Sequence, residues 1–170
     1  VEKNGGKSIM WKAGHSLIKE KMRSSGAVLA GEMSGHIFFS DGFYGFDDAI
    51  FAGARLLKLV ADSSQSIRWL LHDVPKIYNT PEIKIQTRED LKFEIVRRLQ
   101  EEFNKEYETI TIDGVRVSFK HGWGLVRASN TGPNLVLRFE ANSSKQLEKI
   151  RSLVEAKVMD VICDMNQECG

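Results

Sequence analysis

The chain has 170 residues, 42% hydrophobic and 28% charged, a length that buries either one sizeable core or two small ones. Its 24 basic and 23 acidic residues leave a formal net charge of +1. That balance excludes the broad positive field that holds a nucleic-acid backbone or an anionic membrane, and leaves room for a local anion site.

Residues 1–7 carry neither a methionine nor a capping signal and lack the apolar stretch of a secretion signal. Ser8-Ile9-Met10-Trp11 follows at once and predicts a strand, so the start reads as an internal point of a longer chain. After Gly14, Ile18 and Met22 stand one helical turn apart, with Lys19 and Lys21 on other faces; this predicts a short amphipathic helix over 16–23, closed by Ser24-Ser25-Gly26. The compact apolar run Ala27-Val28-Leu29-Ala30 predicts a buried strand. Asp47 and Asp48 then open a helix as capping carboxylates, with Ile50, Ala54, Leu57 and Ala61 forming its apolar stripe. Alternating strand and helix predict an α/β partial domain, a layer of βαβ type. Asp62-Ser63-Ser64-Gln65-Ser66 breaks the pattern, a short helix is expected over 67–71, and Tyr78-Asn79-Thr80-Pro81 makes an extended connection. The boundary is placed there, between domains 1–75 and 76–170.

The second half has a different order. Residues 82–86 alternate as a strand, and residues 87–103 form a helix with Leu91, Ile95, Leu99 and Phe103 on one face. Strands are expected over 109–119, broken by the turn Asp113-Gly114, over 125–128, and over 135–141, where Leu135, Leu137 and Phe139 alternate with Val136, Arg138 and Glu140. Ser143-Ser144-Lys145-Gln146 has capping-box spacing and starts a last helix with Leu147, Ile150, Val154, Val158, Val161 and Met165 along one face. This order predicts an α+β domain, an antiparallel sheet covered on one face by two helices. Cys163 and Cys169 form neither a disulfide framework nor a zinc ligand set and are expected as free thiols. No apolar run has bilayer-spanning length, and a soluble, cytoplasmic protein is expected.

Two loops carry concentrated chemistry. Gly31-Glu32-Met33-Ser34-Gly35-His36 follows a buried strand, where an α/β layer aims side chains at ligands. A carboxylate that accepts and a hydroxyl that both donates and accepts, Glu32 and Ser34, suit adjacent sugar hydroxyls. Two turn glycines around a solvated glutamate explain the same residues. Arg127-Ala128-Ser129-Asn130-Thr131-Gly132-Pro133 gathers a guanidinium, two hydroxyls, an amide and free N–H groups between two strands, the inventory for a phosphate dianion. An ordinary hairpin connection has the same composition, and the choice stays open on residues alone. His15, in Trp11-Lys12-Ala13-Gly14-His15-Ser16, stands near a helix start where it can donate to an anionic oxygen, or serve as plain polar surface. The close carboxylates, Asp47 with Asp48 and Asp160 with Asp164, read as a helix cap and a solvated helix face, so no metal site is assigned.

These motifs, together with Asp113-Gly114-Val115-Arg116-Val117, Gly122-Trp123-Gly124-Leu125-Val126 and Leu137-Arg138-Phe139-Glu140-Ala141, make the chain resemble the α-D-phosphohexomutase family, in its bacterial phosphomannomutase/phosphoglucomutase branch. The resemblance implies an isomerase that interconverts hexose 1-phosphates and 6-phosphates through a bisphosphorylated sugar. It implies a phosphoserine in a first domain and Mg²⁺ on an Asp-Gly-Asp-Gly-Asp-Arg loop in a second, with glucose or mannose 1,6-bisphosphate as activator. Neither loop is in this sequence, so the resemblance places the chain at the end of domain three plus domain four, the latter with a TATA-box-binding-protein-like fold. Its partners would be the hexose phosphate and the N-terminal domains of the same chain, with no nucleic acid and no membrane. By the same resemblance Glu32, Ser34 and His15 contact the sugar, and Arg127, Ser129, Asn130 and Thr131 grip the phosphate that is not reacting. Met33 points to the mannose/glucose branch. Gly132 stands where the family often has Thr or Glu, which removes a side-chain contact. No residue here is expected to be catalytic, and the segment alone is expected to be inactive; a stand-alone phosphosugar-binding module is the alternative.

Overall fold

The chain divides into two units in the computed structural model, which describes residues 1–168: one runs Val1–Val74, and the other starts at Pro75.

In the first unit, helix α1 (His15–Ser25) buries Ile18 and Met22, as their spacing requires, and ends where the Gly26 N–H reaches the Met22 carbonyl. Strands β1 (Leu29–Gly31) and β2 (Ile37–Phe39) pair antiparallel, with Ala30 opposite Phe38. Phe38 is fully buried and joins Ile18 and Met22 in a small core. The strand–helix alternation is present, and the ladder among the described residues of this unit is this antiparallel pair in place of a βαβ crossover, because residues 32–36 turn the chain straight back. The strand expected over 8–11 does not form: no ladder among the described residues reaches its backbone. Helix α2 (Ala49–Asp62) is capped by Asp48, whose Oδ1 accepts the Phe51 N–H at 2.7 Å. Its expected stripe remains open to solvent at Ile50 and Leu57; Phe51 packs instead, stacked on Phe43 and edge-on to Phe39. A single-turn helix, α3 (Ile67–Leu70), follows, capped by Ser66.

The second unit is a six-stranded antiparallel sheet. Its strands are β3 (Tyr78–Asn79), β4 (Ile83–Gln86), β5 (Thr109–Ile110), β6 (Val115–Phe119), β7 (Gly122–Ala128) and β8 (Asn134–Ala141). Both β3 and β4 pair with β8, which continues through β7 and β6 to β5. Helices α4 (Lys92–Asn104) and α5 (Ser144–Glu168) pack on one face. Alternation decides which face: Val115 and Val117, Gly124 and Val126, and Leu135, Leu137 and Phe139 point at the helices. From α5, Ile150, Val154, Val158, Val161 and Met165 answer them, and from α4, Ile95, Leu99 and Phe103. Each such large side chain contributes roughly 1.5–3 kcal/mol by leaving water. The Ser143 hydroxyl accepts the Gln146 N–H and starts α5. Helix α4 starts at Lys92, later than its apolar pattern predicts, since the Thr87 N–H is bonded to the Pro133 carbonyl and Arg88 is clipped to Asp90. Cys163 is an exposed free thiol, and Cys169 lies outside the described residues.

One glycine locks the turn between β5 and β6. Gly114 has φ +80°, and a Cβ there would lie 2.2 Å from the Val126 carbonyl and 2.6 Å from the Arg127 Cβ. Its own carbonyl accepts the Gln100 amide. Gly114→Ala is therefore expected to destabilise the protein by roughly 2–4 kcal/mol, combining backbone strain with overpacking against a strand. A urea titration that showed a loss of under about 1 kcal/mol would contradict this close approach.

Candidate functional site

Gly14 begins the site in the first unit. With φ +133° it swings the chain into α1 and turns its N–H to the Glu32 Oε1 at 2.8 Å. Glu32 lies at the end of β1, where its N–H meets the His36 carbonyl and its carbonyl takes the Gly35 N–H, closing the turn. Its side chain, 12% exposed, is not a solvated turn residue; Oε2 stands 3.7 Å from the His15 Nε2. The structure thus brings His15 and Glu32 together, while Ser34 sits exposed at the tip of the turn.

Two further residues join them that the sequence reading did not assign to the site. Asp47 accepts His36 Nδ1 at 2.8 Å on one oxygen and faces His15 Nδ1 at 3.2 Å on the other, with the imidazole centroids 4.4 Å apart. This corrects the reading of Asp47 and Asp48 as a capping pair: Asp48 caps α2, whereas Asp47 orients both histidines. Burial opposes ionisation of Asp47, but the hydrogen bond from His36 and the charges of His15 and His36 outweigh it and hold its carboxyl below the usual value of 3.8. The sign follows: Asp47 contributes stability that is complete above the unfolded carboxylate's pKa and is lost as pH falls through the lower folded value. Asp47→Asn is expected to flatten the acid side of the stability curve as pH falls below about 4, read from urea midpoints. An unchanged acid limb would remove Asp47 from this role.

The second cluster lies where β7 leaves the sheet. Arg127 pairs with Val136, and its guanidinium has no partner among the described residues. Ser129 is buried; its Oγ accepts the Thr131 N–H at 3.2 Å and lies 3.4 Å from the Thr131 Oγ1, a contact in which either hydroxyl can donate. The Ser129 N–H is bonded to the Asn134 carbonyl, and the Asn134 N–H to the Gly132 carbonyl at 2.8 Å. Among the described residues no acceptor takes the N–H groups of Asn130 and Gly132. Asn130 and Thr131 are exposed at the tip. One guanidinium, two hydroxyls, one amide and free N–H groups at one hairpin can hold a phosphate dianion through charge-assisted hydrogen bonds. Trp123 is stacked under Arg116, and His121 is bonded to Asn142, so both are accounted for without a ligand.

Residues 1–78 match the family model described as phosphoglucomutase/phosphomannomutase, alpha/beta/alpha domain III, and residues 82–157 match the model of the phosphoglucomutase/phosphomannomutase C-terminal domain. The chain belongs to the phosphoglucomutase/phosphomannomutase family. It is 49% identical over 162 residues to a phosphomannomutase/phosphoglucomutase of Pseudomonas putida, covering 95% of this chain and 35% of the relative. It is 44% identical to a phosphoglucomutase of Neisseria gonorrhoeae, covering 93% of this chain and 35% of the relative. A crystal structure of a phosphoglucomutase/phosphomannomutase family protein from Burkholderia thailandensis superposes with a TM-score of 0.83 at 41% identity, over 94% of this chain and 34% of that one. The chain therefore spans about a third of the length of the curated relatives it matches.

The Mg²⁺ expected for the family does not fit the residues of this segment. Among the described residues, the group with metal-ligand spacing is His15, His36 and Asp47, whose ligating atoms lie within 4.8 Å of one another. Two imidazoles and one carboxylate are a poor set for a hard cation that demands octahedral oxygen ligands. No helix among the described residues is long and apolar enough to cross a membrane.

Proposed function

We propose that this chain is the phosphosugar-recognition portion of a cytoplasmic phosphomannomutase/phosphoglucomutase, which interconverts hexose 1-phosphate and hexose 6-phosphate through a bisphosphorylated sugar. Glu32 and Ser34, with His15 beside them, take sugar hydroxyls; Arg127, Ser129, Asn130 and Thr131 grip the phosphate that is not reacting. Such remote binding serves catalysis by positioning the reacting end. Phosphoryl transfer and Mg²⁺ binding belong to other domains of the full-length enzyme, which uses glucose or mannose 1,6-bisphosphate as activator. The observation that carries this reading is the hairpin at Arg127, which gathers an unpaired guanidinium, the buried Ser129 hydroxyl two residues on and two unbonded N–H groups, donors suited to an anion.

Titrating the isotope-labelled chain with glucose 6-phosphate tests it. Amide shifts are expected at Ser129 to Gly132 and around Glu32, with no turnover when Mg²⁺ and glucose 1,6-bisphosphate are added. Measurable mutase activity from this chain would overturn the division of labour, and silent amides at both loops would overturn the recognition role.

A further inference from the structure

Lys92 is placed against two rules of stability. It is 2% exposed, although burying an ammonium is costly, and it is the first residue of α4, where the helix dipole disfavours a cation. Its surroundings give the reason. The ammonium lies 2.6 Å from the Glu89 Oε1 and donates to the Gly132 carbonyl at 3.2 Å, above the ring of Phe93. Gly132 is the loop residue without a side chain to anchor it, and its carbonyl is held twice, by Lys92 and by the Asn134 N–H. Holding that carbonyl restrains the loop at Gly132, whose own N–H, like that of Asn130, is unbonded among the described residues. Glu89 is mostly solvent-exposed, so its charge is screened, whereas that of Lys92 sits behind the loop in the protein interior.

We infer that Lys92 is a positioning residue of the phosphate loop: through the Gly132 carbonyl it holds the hairpin in its anion-binding shape, and its buried charge adds attraction for a dianion. The inference rests on reading Arg127 to Thr131 as a phosphate site. It predicts that the lysine and its acidic partner differ in effect, which a simple structural ion pair would not do.

The test compares Lys92→Met, Lys92→Gln, Lys92→Arg and Glu89→Gln in the whole chain, with glucose 1-phosphate as probe and urea unfolding to follow the fold. Lys92→Met should weaken binding about tenfold and Lys92→Gln, which keeps a donor but not the charge, by less. Lys92→Arg should recover most of the affinity, and Glu89→Gln should bind as well as the parent or better. Amide hydrogen exchange at Asn130 and Gly132 without ligand should rise in Lys92→Met and stay put in Lys92→Arg. Equal losses in Lys92→Met and Glu89→Gln, or binding within twofold of the parent in both Lys92→Met and Lys92→Gln, would overturn the inference. If the parent chain binds no sugar phosphate, the recognition reading fails, and unchanged exchange in Lys92→Met would separately defeat the loop-holding role. Should Lys92→Met not fold, Lys92→Gln against Lys92→Arg decides alone.

Discussion

Arg127→Ala is expected to weaken hexose-phosphate binding by about 10- to 150-fold, the equivalent of roughly 1.5–3 kcal/mol for a charge-assisted hydrogen bond, while leaving the second unit folded. The guanidinium is unpaired among the described residues, so its removal orphans no buried partner, and urea stability should change by less than about 1 kcal/mol. Its backbone is held by the strand before any ligand arrives. Arg127 stands in a paired strand, opposite Val136, with the Gly114 turn pressed against its Cβ. A flexible cation in that place would lose more freedom on binding. Arg127→Lys should therefore recover less than half of the forfeited binding energy, because an ammonium cannot present two parallel donors to a phosphate. Isothermal titration with glucose 1-phosphate reads all three proteins, and an affinity for Arg127→Ala within twofold of the parent would remove the residue from the phosphate site.

How much of this was legible in the sequence depends on the range of the interaction concerned. Helix α5 could be read from Ser143 to Met165 because its cap and its stripe are local, and the buried face in the structure is the predicted one. The alternation in β8 likewise chose its own core face. Where distant groups decide, the pattern was silent. The first turn predicted for α4 is absent because Pro133, far along the chain, holds the Thr87 N–H. Residues 8–11 have strand composition, yet a strand also needs a neighbour. The Ile50–Leu57 stripe predicted a buried face on α2 that the described residues do not cover.

The same distinction runs through the candidate sites. The Arg127 hairpin is contiguous in sequence, so its donors could be counted from the residues alone. Asp47, sequence neighbour of a true cap, looked like one itself; only the fold carries His15 and His36 to it. Lys92 with Glu89 has the spacing of an ordinary surface pair, and nothing local reveals that its ammonium reaches Gly132. Glu32 is intermediate. Its residue type pointed to sugar hydroxyls, but its bond to the Gly14 N–H is a non-local interaction.

That bond shapes the second large effect. In a full-length enzyme carrying this segment, Glu32→Ala is expected to lower kcat/KM by about 10- to 150-fold, because on the proposed reading alanine forfeits roughly 1.5–3 kcal/mol at one charge-assisted hydrogen bond to the sugar. The carboxylate does two things: Oε1 anchors the amide that leads into α1, and Oε2 faces His15. Alanine removes both, so the start of α1 is freed along with the proposed contact to the sugar. Glutamine can keep its carbonyl oxygen on Gly14 while losing the negative charge, and it separates the roles. If Glu32 acts on the sugar, Glu32→Gln should retain the parent's urea stability and still lose at least about tenfold in kcat/KM, since the hydroxyls then meet a weaker acceptor. If the residue only fastens Gly14, Glu32→Gln should be close to the parent in both measurements, and Glu32→Ala should lose stability and activity in step. Kinetics and unfolding on the two variants distinguish these cases, because an acceptor that binds substrate and one that ties down a helix start differ in what the neutral amide can replace.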